Sequence, residues 1–204
     1  MLLHMIQSET QHYSHKIMQK KRIIIGITGA SGIIYGIRLL ETLKRLDIET
    51  DLVVSKAAHQ TRALETSFSA KDLYALATRH YAVGDIGAAI ASGSCRTQGM
   101  IIAPCSMRTL ADIANGTNGN LITRAADVIL KERQRLVLMV RETPLHLGHL
   151  RNMTMVTEMG GIIAPPVPAF YPMPQTLEDL VNHNVGRVLD LFDIEANLVQ
   201  RWKD

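Results

Sequence analysis

The sequence predicts an α/β fold in which an open parallel sheet carries helices on both faces, and three observations support this class. Several short runs are almost continuously Ile, Val and Leu, which is typical of strands buried on both faces. Segments with apolar residues at helical spacing alternate with these runs. Glycine, proline and hydroxyl residues follow the runs, where strand-to-helix turns are expected. A chain of 204 residues suits one domain, which we place at residues 21–204.

The pattern predicts five strands and five principal helices. The strands lie at about 23–28, 50–54, 99–104, 135–140 and 161–165. The helices lie at about 33–46, 107–116, 126–134, 147–161 and 175–192. Thr176, with Asp179 three residues on, predicts a variant of the capping box at the start of the last helix. Right-handed crossovers between parallel strands give an open, doubly wound sheet. In such sheets ligands bind beyond the carboxyl ends of the strands, so we look for the site there.

Composition excludes several classes of protein. Lys plus Arg total 22 and Asp plus Glu total 19, so the net charge is only +3, which disfavours a nucleic-acid-binding surface. No apolar run approaches the roughly 20 residues that cross a bilayer. Two cysteines favour a reducing, cytoplasmic location and cannot build a disulfide framework or a four-thiolate zinc site. Residues 1–20 are interpreted as a flexible extension whose histidines are solvated, and no metal is expected.

The first strand is followed by a glycine-rich turn, GITGASGIIYG, from Gly26 to Gly36. Glycines permit a tight turn and let backbone N–H groups approach an anion at the start of the next helix. The turn lacks the Gly-Lys-Ser/Thr of a P-loop and the spacing of the dinucleotide fingerprint. The second strand is followed by Ser55 and Lys56 instead of the acid that a nicotinamide ribose requires. We therefore expect either a phosphate or mononucleotide site, or a turn that serves packing alone.

The third strand ends in the segment PCSMRT, residues 104–109, which concentrates two hydroxyls, a thiol and a cation. Ser106 or Thr109 would be an ordinary helix N-cap in one interpretation and part of a ligand crevice in the other. Cys105 is interpreted as a buried, inert thiol, because no histidine lies nearby in the sequence to activate it as a nucleophile.

The fourth strand ends in Arg141 and Glu142, a charged pair directly after the buried run LVLMV. One hypothesis is a structural ion pair. The other is that Arg141 holds an anion while Glu142, its pKa tuned by burial, relays a proton. Tyr171 ends a proline-rich segment that is long enough to act as a lid. Further cations are Arg124 and Lys131, in a helical stretch expected over residues 120–133, and Arg187 in the last predicted helix.

Taken together, these segments resemble one family, the flavin prenyltransferases known as UbiX, which also includes the phenylacrylic and hydroxybenzoate decarboxylase B subunits. The resemblance runs from about Arg22 to Trp202, with the motifs in the expected order. The motifs that carry it are GITGASG, LVVSKAA, ASGS, PCSMRTLADIANG, NLITRAADVILKERQRLVLMVRETPL, PAFYPMPQTLEDLV and the terminal RW.

The resemblance implies a flavodoxin-like (Rossmann-like) three-layer fold, with residues 21–204 as one flavin-binding domain and a homododecamer with sites at subunit interfaces. It also implies an activity, the metal-independent transfer of a dimethylallyl group from dimethylallyl phosphate to N5 and C6 of reduced FMN. The product, prenylated FMN, would serve a UbiD-type decarboxylase in ubiquinone biosynthesis or in the decarboxylation of aromatic acids.

The same resemblance assigns residues to three groups. The flavin site would contain Gly29, Ala30, Ser31, Ser55, Ser106, Met107, Arg108, Thr109 and Arg141. The dimethylallyl phosphate pocket would contain Arg124, Lys131, Tyr171, Arg187 and Trp202, of which Trp202 would close over the site. Ser31 and Glu142 would be the catalytic pair that handles protons.

Two other functions remain open at this point. An FMN oxidoreductase would share the fold but would leave the phosphate-directed cations unexplained. An FMN-binding small subunit of a hydroxyarene decarboxylase complex would bind flavin without turning over dimethylallyl phosphate. A phosphopantothenoylcysteine decarboxylase is not favoured, because its catalytic His and its Cys-bearing flap are not found in this sequence.

Overall fold

The computed structural model describes residues 20–199, 201 and 202, and within them the predicted parallel sheet is present. The strands are β1 (Arg22–Ile27), β2 (Glu49–Val54), β3 (Arg79–Tyr81), β4 (Gly99–Cys105), β5 (Arg135–Val140) and β6 (Ile162–Ile163). They form one sheet in the order β3-β2-β1-β4-β5-β6, and every neighbouring pair is parallel. The α/β class is therefore confirmed. All but one residue of the predicted extension 1–20 lies outside the described residues.

Seven α-helices surround this sheet in the described part of the chain. They are α1 (Ile33–Arg45), α2 (Lys56–Glu65), α3 (Ala70–Ala75), α4 (Met107–Ala114), α5 (Leu121–Lys131), α6 (Leu147–Glu158) and α7 (Leu177–Asp190). The five predicted helices are confirmed, and α5 lies within the helical stretch expected over residues 120–133. The capping box of Thr176 and Asp179 is also present. Helices α2 and α3 were not predicted.

The sheet separates two apolar cores, as expected for strands that are buried on both faces. Ile23, Ile25 and Ile27 of β1 point into one core, which α1 and α7 cover. Ile24 points into the other core, which α4, α5 and α6 cover. Side chains alternate between the two faces along a strand, so β1 contributes to both cores.

The prediction of five strands was wrong because it omitted β3. This strand reads RHY and is only three residues long, so no apolar run marks it. Its position at the sheet edge depends on charge: Arg79 donates to Asp51 Oδ1 at 2.6 Å and to Glu49 Oε2 at 2.7 Å. Asp51 is fully buried, and these bonds raise the pKa of Arg79 well above its usual value. Ion pairs between side chains far apart in sequence leave no local periodicity that a prediction could use.

Close packing of α1 on the sheet makes Gly36 a sensitive position. A Cβ atom there would lie 2.5 Å from the carbonyl oxygen of Ala103 and 2.8 Å from Ile27 Cδ1. Gly36→Ala should therefore destabilise the fold by about 1–3 kcal/mol, the usual cost of overpacking, and lower the thermal midpoint by several degrees. Gly119→Ala is the matched control, because nothing lies within 4 Å of its Cβ position. Equal midpoints for the two variants, measured by circular dichroism at one protein concentration, would contradict this packing.

Candidate functional site

Hydrogen bonds hold the turns after β1, β4 and β5 together at the carboxyl edge of the sheet. The buried hydroxyl of Thr28 donates to the carbonyl oxygen of Pro104 at 2.8 Å and accepts from the backbone N–H of Ser106 at 2.8 Å. The backbone N–H of Arg141 donates to the carbonyl oxygen of Cys105 at 3.1 Å. The three turns thus form one edge, as the sequence predicted. Thr28, which fixes the first two against each other, was not among the predicted site residues.

The glycine-rich turn after β1 places backbone donors at the start of α1. Gly32 has a left-handed φ of 101°, and a Cβ atom on Gly29 would collide with Ala57 at the start of α2. The N–H groups of Gly32 and Ile33 both donate to one carboxylate oxygen, Glu65 Oε2, at 2.9 and 3.1 Å. The turn therefore holds an anionic group, and its glycines also serve close packing, so both interpretations of the motif apply.

Glu65 is a site residue that the sequence did not reveal. It ends α2, and its backbone partner Gly32 lies 33 positions away, so no local motif indicates the contact. Burial alone would raise the pKa of Glu65. Hydrogen bonds from the Ser31 side chain and from the backbone N–H groups, together with the positive charge of Arg141, outweigh burial and hold that pKa below its ordinary value. Glu65 is therefore a carboxylate at neutral pH, hydrogen-bonded to the Ser31 hydroxyl.

A cleft of about 540 Å³ opens beside this turn. Ser31 and Arg141 line it together with apolar groups from the proline-rich segment and from α7, including Pro166 and Leu177. Burial raises the pKa of Tyr35 in the wall, and the positive charge of Arg141 partly offsets that rise. Arg141 forms no salt bridge with any described residue. The cleft thus combines a cation, a hydroxyl and an apolar wall.

The hydroxyls after β2 and β4 act as helix caps. Ser55 Oγ accepts from the N–H of Ala58 at 3.1 Å, and Ser106 Oγ accepts from the N–H of Thr109 at 3.3 Å. Ser106, and not Thr109, is therefore the N-cap of α4. Capping leaves the Ser55 hydroxyl proton available to a ligand, whereas the Ser106 hydroxyl donates to Thr109 Oγ1 at 3.2 Å. Met107 and Arg108, the first residues of α4, follow directly.

Glu142 is in a different environment from the one we expected. Its carboxylate is exposed, not buried as expected, and accepts from the backbone N–H of Thr143 at 3.0 Å. An ion pair between Arg141 and Glu142 is also not present among the described residues. The carboxylate that contacts Ser31 is that of Glu65. The pairing of Ser31 with Glu142 stays a prediction.

Cys105 is fully buried, and burial raises the pKa of its thiol far above the usual range. The thiolate that a nucleophile requires is therefore absent at neutral pH, as the sequence interpretation expected. Cys105→Ala should retain turnover within about threefold while losing roughly 1 kcal/mol of stability through the small cavity. Steady-state kinetics check the first expectation and chemical denaturation the second. A loss of turnover without a loss of folding would instead make the thiol a participant.

The single chain does not bring the predicted phosphate ligands to this cleft. Lys131 ends α5 just before β5 begins, whereas Arg141 follows the end of β5. The two residues therefore lie at opposite ends of the sheet's strands, Lys131 at the amino ends and Arg141 at the carboxyl ends. Lys131 pairs with the adjacent Glu132. Arg124 pairs with Asp127 at 2.9 Å and does not line the cleft. These assignments from the resemblance therefore need a second chain if they are to act at the Ser31 cleft.

The predicted lid residues form a separate aromatic cluster. The ring of Tyr171 meets that of Trp202 edge to face, with centroids 5.2 Å apart, and that of His183 at 5.5 Å. Arg187 lies one turn beyond His183 on α7 and pairs with Asp190 at 2.6 Å. Trp202 is 66 % exposed and does not line the Ser31 cleft, so in this chain it does not close over that cleft.

Among the described residues, no group of three or more His, Cys, Asp or Glu side chains is placed to hold a metal ion. In the same part of the chain, no helix is both long and apolar enough to cross a membrane.

Comparisons with known proteins agree with this fold. The family described as Flavoprotein matches residues 11–188, which defines the class of the protein. The chain is 59 % identical to flavin prenyltransferase UbiX of Thauera aromatica over 181 residues, covering 89 % of this chain and 93 % of that protein. It is 56 % identical to the UbiX of Escherichia coli K12 over 186 residues, covering 90 % and 98 %.

Solved structures also resemble this chain closely in fold. AnUbiX (PadA1), in complex with FMN and dimethylallyl pyrophosphate, superposes with a TM-score of 0.90 at 49 % identity and covers 91 % of this chain and 99 % of that one. A dodecameric FMN-dependent UbiX-like decarboxylase from Escherichia coli O157:H7 gives 0.88 at 48 %, with coverages of 90 % and 100 %. The chain belongs to the UbiX family of flavin prenyltransferases.

Proposed function

We propose that this chain joins a dimethylallyl group from dimethylallyl phosphate to N5 and C6 of reduced FMN and releases prenylated FMN. The observation that carries the proposal is the turn at the start of α1. Its backbone N–H groups donate to the Glu65 carboxylate, whose ionised form the Ser31 side chain also favours. Ser31 lines a cleft together with Arg141. Family membership and the FMN-bound relative support it.

The backbone donors, hydroxyls and cation at the carboxyl ends of the strands have the chemistry to hold FMN. The turn at Gly29–Gly32 already holds a carboxylate, and a Cβ atom on Gly29 would collide with Ala57, so the backbone there is closely packed. Ala30, Ser31, Ser55 and Arg141 would hold the flavin together with the segment Ser106–Thr109. When bound, reduced FMN supplies the electron-rich ring that accepts the prenyl group. The apolar wall formed by Pro166 and Leu177 would shield an allylic cation from water.

A phosphate pocket would be completed by a second copy of the chain. Lys131 lies at the sheet edge opposite Arg141, so one chain cannot present both to one substrate. Arg124, Lys131, Arg187 and Tyr171 would stabilise the charge on the departing phosphate. A relative of known structure is dodecameric, which supports a homododecamer with shared sites.

Protons at the reacting centre would pass through Ser31 to Glu65. Glu65 is ionised at neutral pH and accepts a hydrogen bond from the Ser31 hydroxyl, so this pair can receive a proton without prior rearrangement. Glu142, which follows Arg141 in the sequence, would act as a second proton carrier.

The product would serve a UbiD-type decarboxylase, in ubiquinone biosynthesis or in the decarboxylation of aromatic acids. A cytoplasmic location is part of the same proposal. Both cysteines are free thiols, and Cys95 is partly exposed, which suits a reducing compartment.

Anaerobic incubation of the purified chain with reduced FMN and dimethylallyl phosphate tests the function. The released flavin should gain the mass of one prenyl unit and show a changed absorbance spectrum. Parallel reactions with dimethylallyl diphosphate establish which donor is used. Flavin binding without a gain in mass would favour the small-subunit alternative. In a separate reaction, oxidation of a reduced nicotinamide by the FMN-bound chain would favour an FMN oxidoreductase.

A further inference from the structure

Asp190, the last residue of α7, binds two arginines at once. Its Oδ2 atom accepts from Arg187 Nη1 at 2.6 Å. Its Oδ1 atom accepts from Arg201 Nη2 at 3.1 Å, and Oδ2 also lies 3.3 Å from Arg201 Nη1. The Asp190 side chain is only 18 % exposed, so these charge-assisted bonds are partly shielded from water. None of the sequence motifs singled out this residue.

The two arginines belong to two different parts of the aromatic cluster. Arg187 lies on α7, one turn from His183, whose ring contacts Tyr171. Arg201 precedes Trp202, whose ring contacts the same Tyr171. The tail also packs closely on α7, since a Cβ atom on Gly186 would lie 3.1 Å from Leu198 Cβ. Asp190 thus stands where the helix and the tail meet.

We propose that Asp190 is a positioning residue that fixes the guanidinium of Arg187 for substrate phosphate and ties the tail bearing Trp202 to α7. The part concerning phosphate rests on the proposed function, whereas the tie to the tail does not. A guanidinium carries five N–H donors in a rigid plane. A carboxylate on Nη1 fixes that plane and leaves the remaining donors to meet a phosphate. A long, exposed arginine without such a partner would lose more side-chain entropy on binding.

The tie to the tail can be measured without any turnover. The chain has a single tryptophan, so its fluorescence anisotropy reports on Trp202 alone. Asp190→Asn and Arg201→Gln should each at least double the amplitude of the nanosecond depolarisation of Trp202. Asp193→Asn is the matched control, because Asp193 is a nearby carboxylate that pairs with Arg135 instead, at 3.4 Å. Unchanged depolarisation in both Asp190→Asn and Arg201→Gln would overturn the tie.

The effect on Arg187 is read from kinetics on the full-length enzyme. Asp190→Asn should raise KM for dimethylallyl phosphate about tenfold, as expected for a lost charge-assisted hydrogen bond, while the Kd for FMN stays within twofold. Asp190→Glu should recover most of that loss, and Asp193→Asn should show none. An unchanged KM in Asp190→Asn, with an active wild-type chain, would overturn this half of the proposal.

The outcomes for the two proposals are distinguishable. If the wild-type chain transfers no prenyl group, the proposed function fails, and the anisotropy of Trp202 still decides whether Asp190 holds the tail. If Asp190→Asn unfolds, as circular dichroism would show, Arg201→Gln tests the tie and Arg187→Lys tests the orientation of the cation.

Discussion

Replacing Glu65 with glutamine is expected to lower the rate of prenyl transfer by about 100- to 10,000-fold, the usual contribution of a positioned acid or base. Glutamine is nearly isosteric, and its side-chain oxygen can still accept from the N–H groups of Gly32 and Ile33 that now bond Glu65. The start of α1 should therefore keep its geometry. What the variant loses is the negative charge and the ability to receive a proton.

The structure gives the physical reason for so large an effect. The Glu65 carboxylate keeps its charge because Ser31, two backbone N–H groups and Arg141 all favour the ionised form. A base that is already hydrogen-bonded to Ser31 needs no reorganisation before it accepts a proton. Removing it leaves the Ser31 hydroxyl without a charged acceptor, so Ser31→Ala and Glu65→Gln should fail at the same step.

Glu142→Gln is the informative comparison. Both variants remove one exposed carboxylate, but Glu142 accepts from the N–H of Thr143, whereas Glu65 accepts from the N–H groups of Gly32 and Ile33 at the start of α1. If Glu65 is the partner of Ser31, the double variant of Ser31 and Glu65 should be no slower than either single one, while adding Glu142→Gln should slow it further. Release of prenylated FMN, followed by absorbance and mass under anaerobic conditions, measures each rate. Full turnover by Glu65→Gln would remove it from the mechanism.

The sequence predicted the centre of the sheet better than its margins. Strands β1, β2, β4 and β5 each contain consecutive Ile, Val or Leu residues, and burial of both sheet faces makes such stretches recognisable in the sequence. Strand β3 was missed because Arg79, Glu49 and Asp51 position it by charge across the sheet. Packing periodicity is a local signal, whereas an ion pair between distant segments is not.

For the candidate site, too, the sequence predicted the residues that follow strands and missed those placed by contacts between distant segments. Gly29, Ser55, Ser106 and Arg141 all follow strands, and topology alone places the ends of parallel strands at one edge. Glu65 was missed because it reaches that edge from the far end of a helix. Lys131 was assigned to the phosphate pocket through the resemblance, and the order of α5 and β5 shows that it belongs to the opposite edge. The hydrophobic periodicity of a single sequence carries no information about which residues of two neighbouring chains form one site.

Because Lys131 and Ser31 lie at opposite ends of the strands in one chain, we expect mixtures of variant chains to behave differently from either variant alone. Lys131→Ala and Ser31→Ala should each lower turnover by at least about 100-fold, since each removes a group that acts on developing charge or on a proton. Oligomers containing both variant chains should nevertheless recover activity. A site that takes Ser31 from one copy and Lys131 from another is intact at about a quarter of positions when the two chains mix at random.

Co-expression with two different affinity tags, followed by tandem purification, isolates the mixed oligomers. A mixture of Ser31→Ala and Glu65→Gln chains is the matched control, because these two residues contact each other within one chain and every site would then carry one defect. Recovery in the first mixture and none in the second would establish that Lys131 crosses to a neighbouring copy. If the first mixture were no more active than the sum of its parts, Lys131 would not complete the Ser31 cleft, and the basic group that stabilises the departing phosphate would have to be sought among Arg141, Arg124 and Arg187.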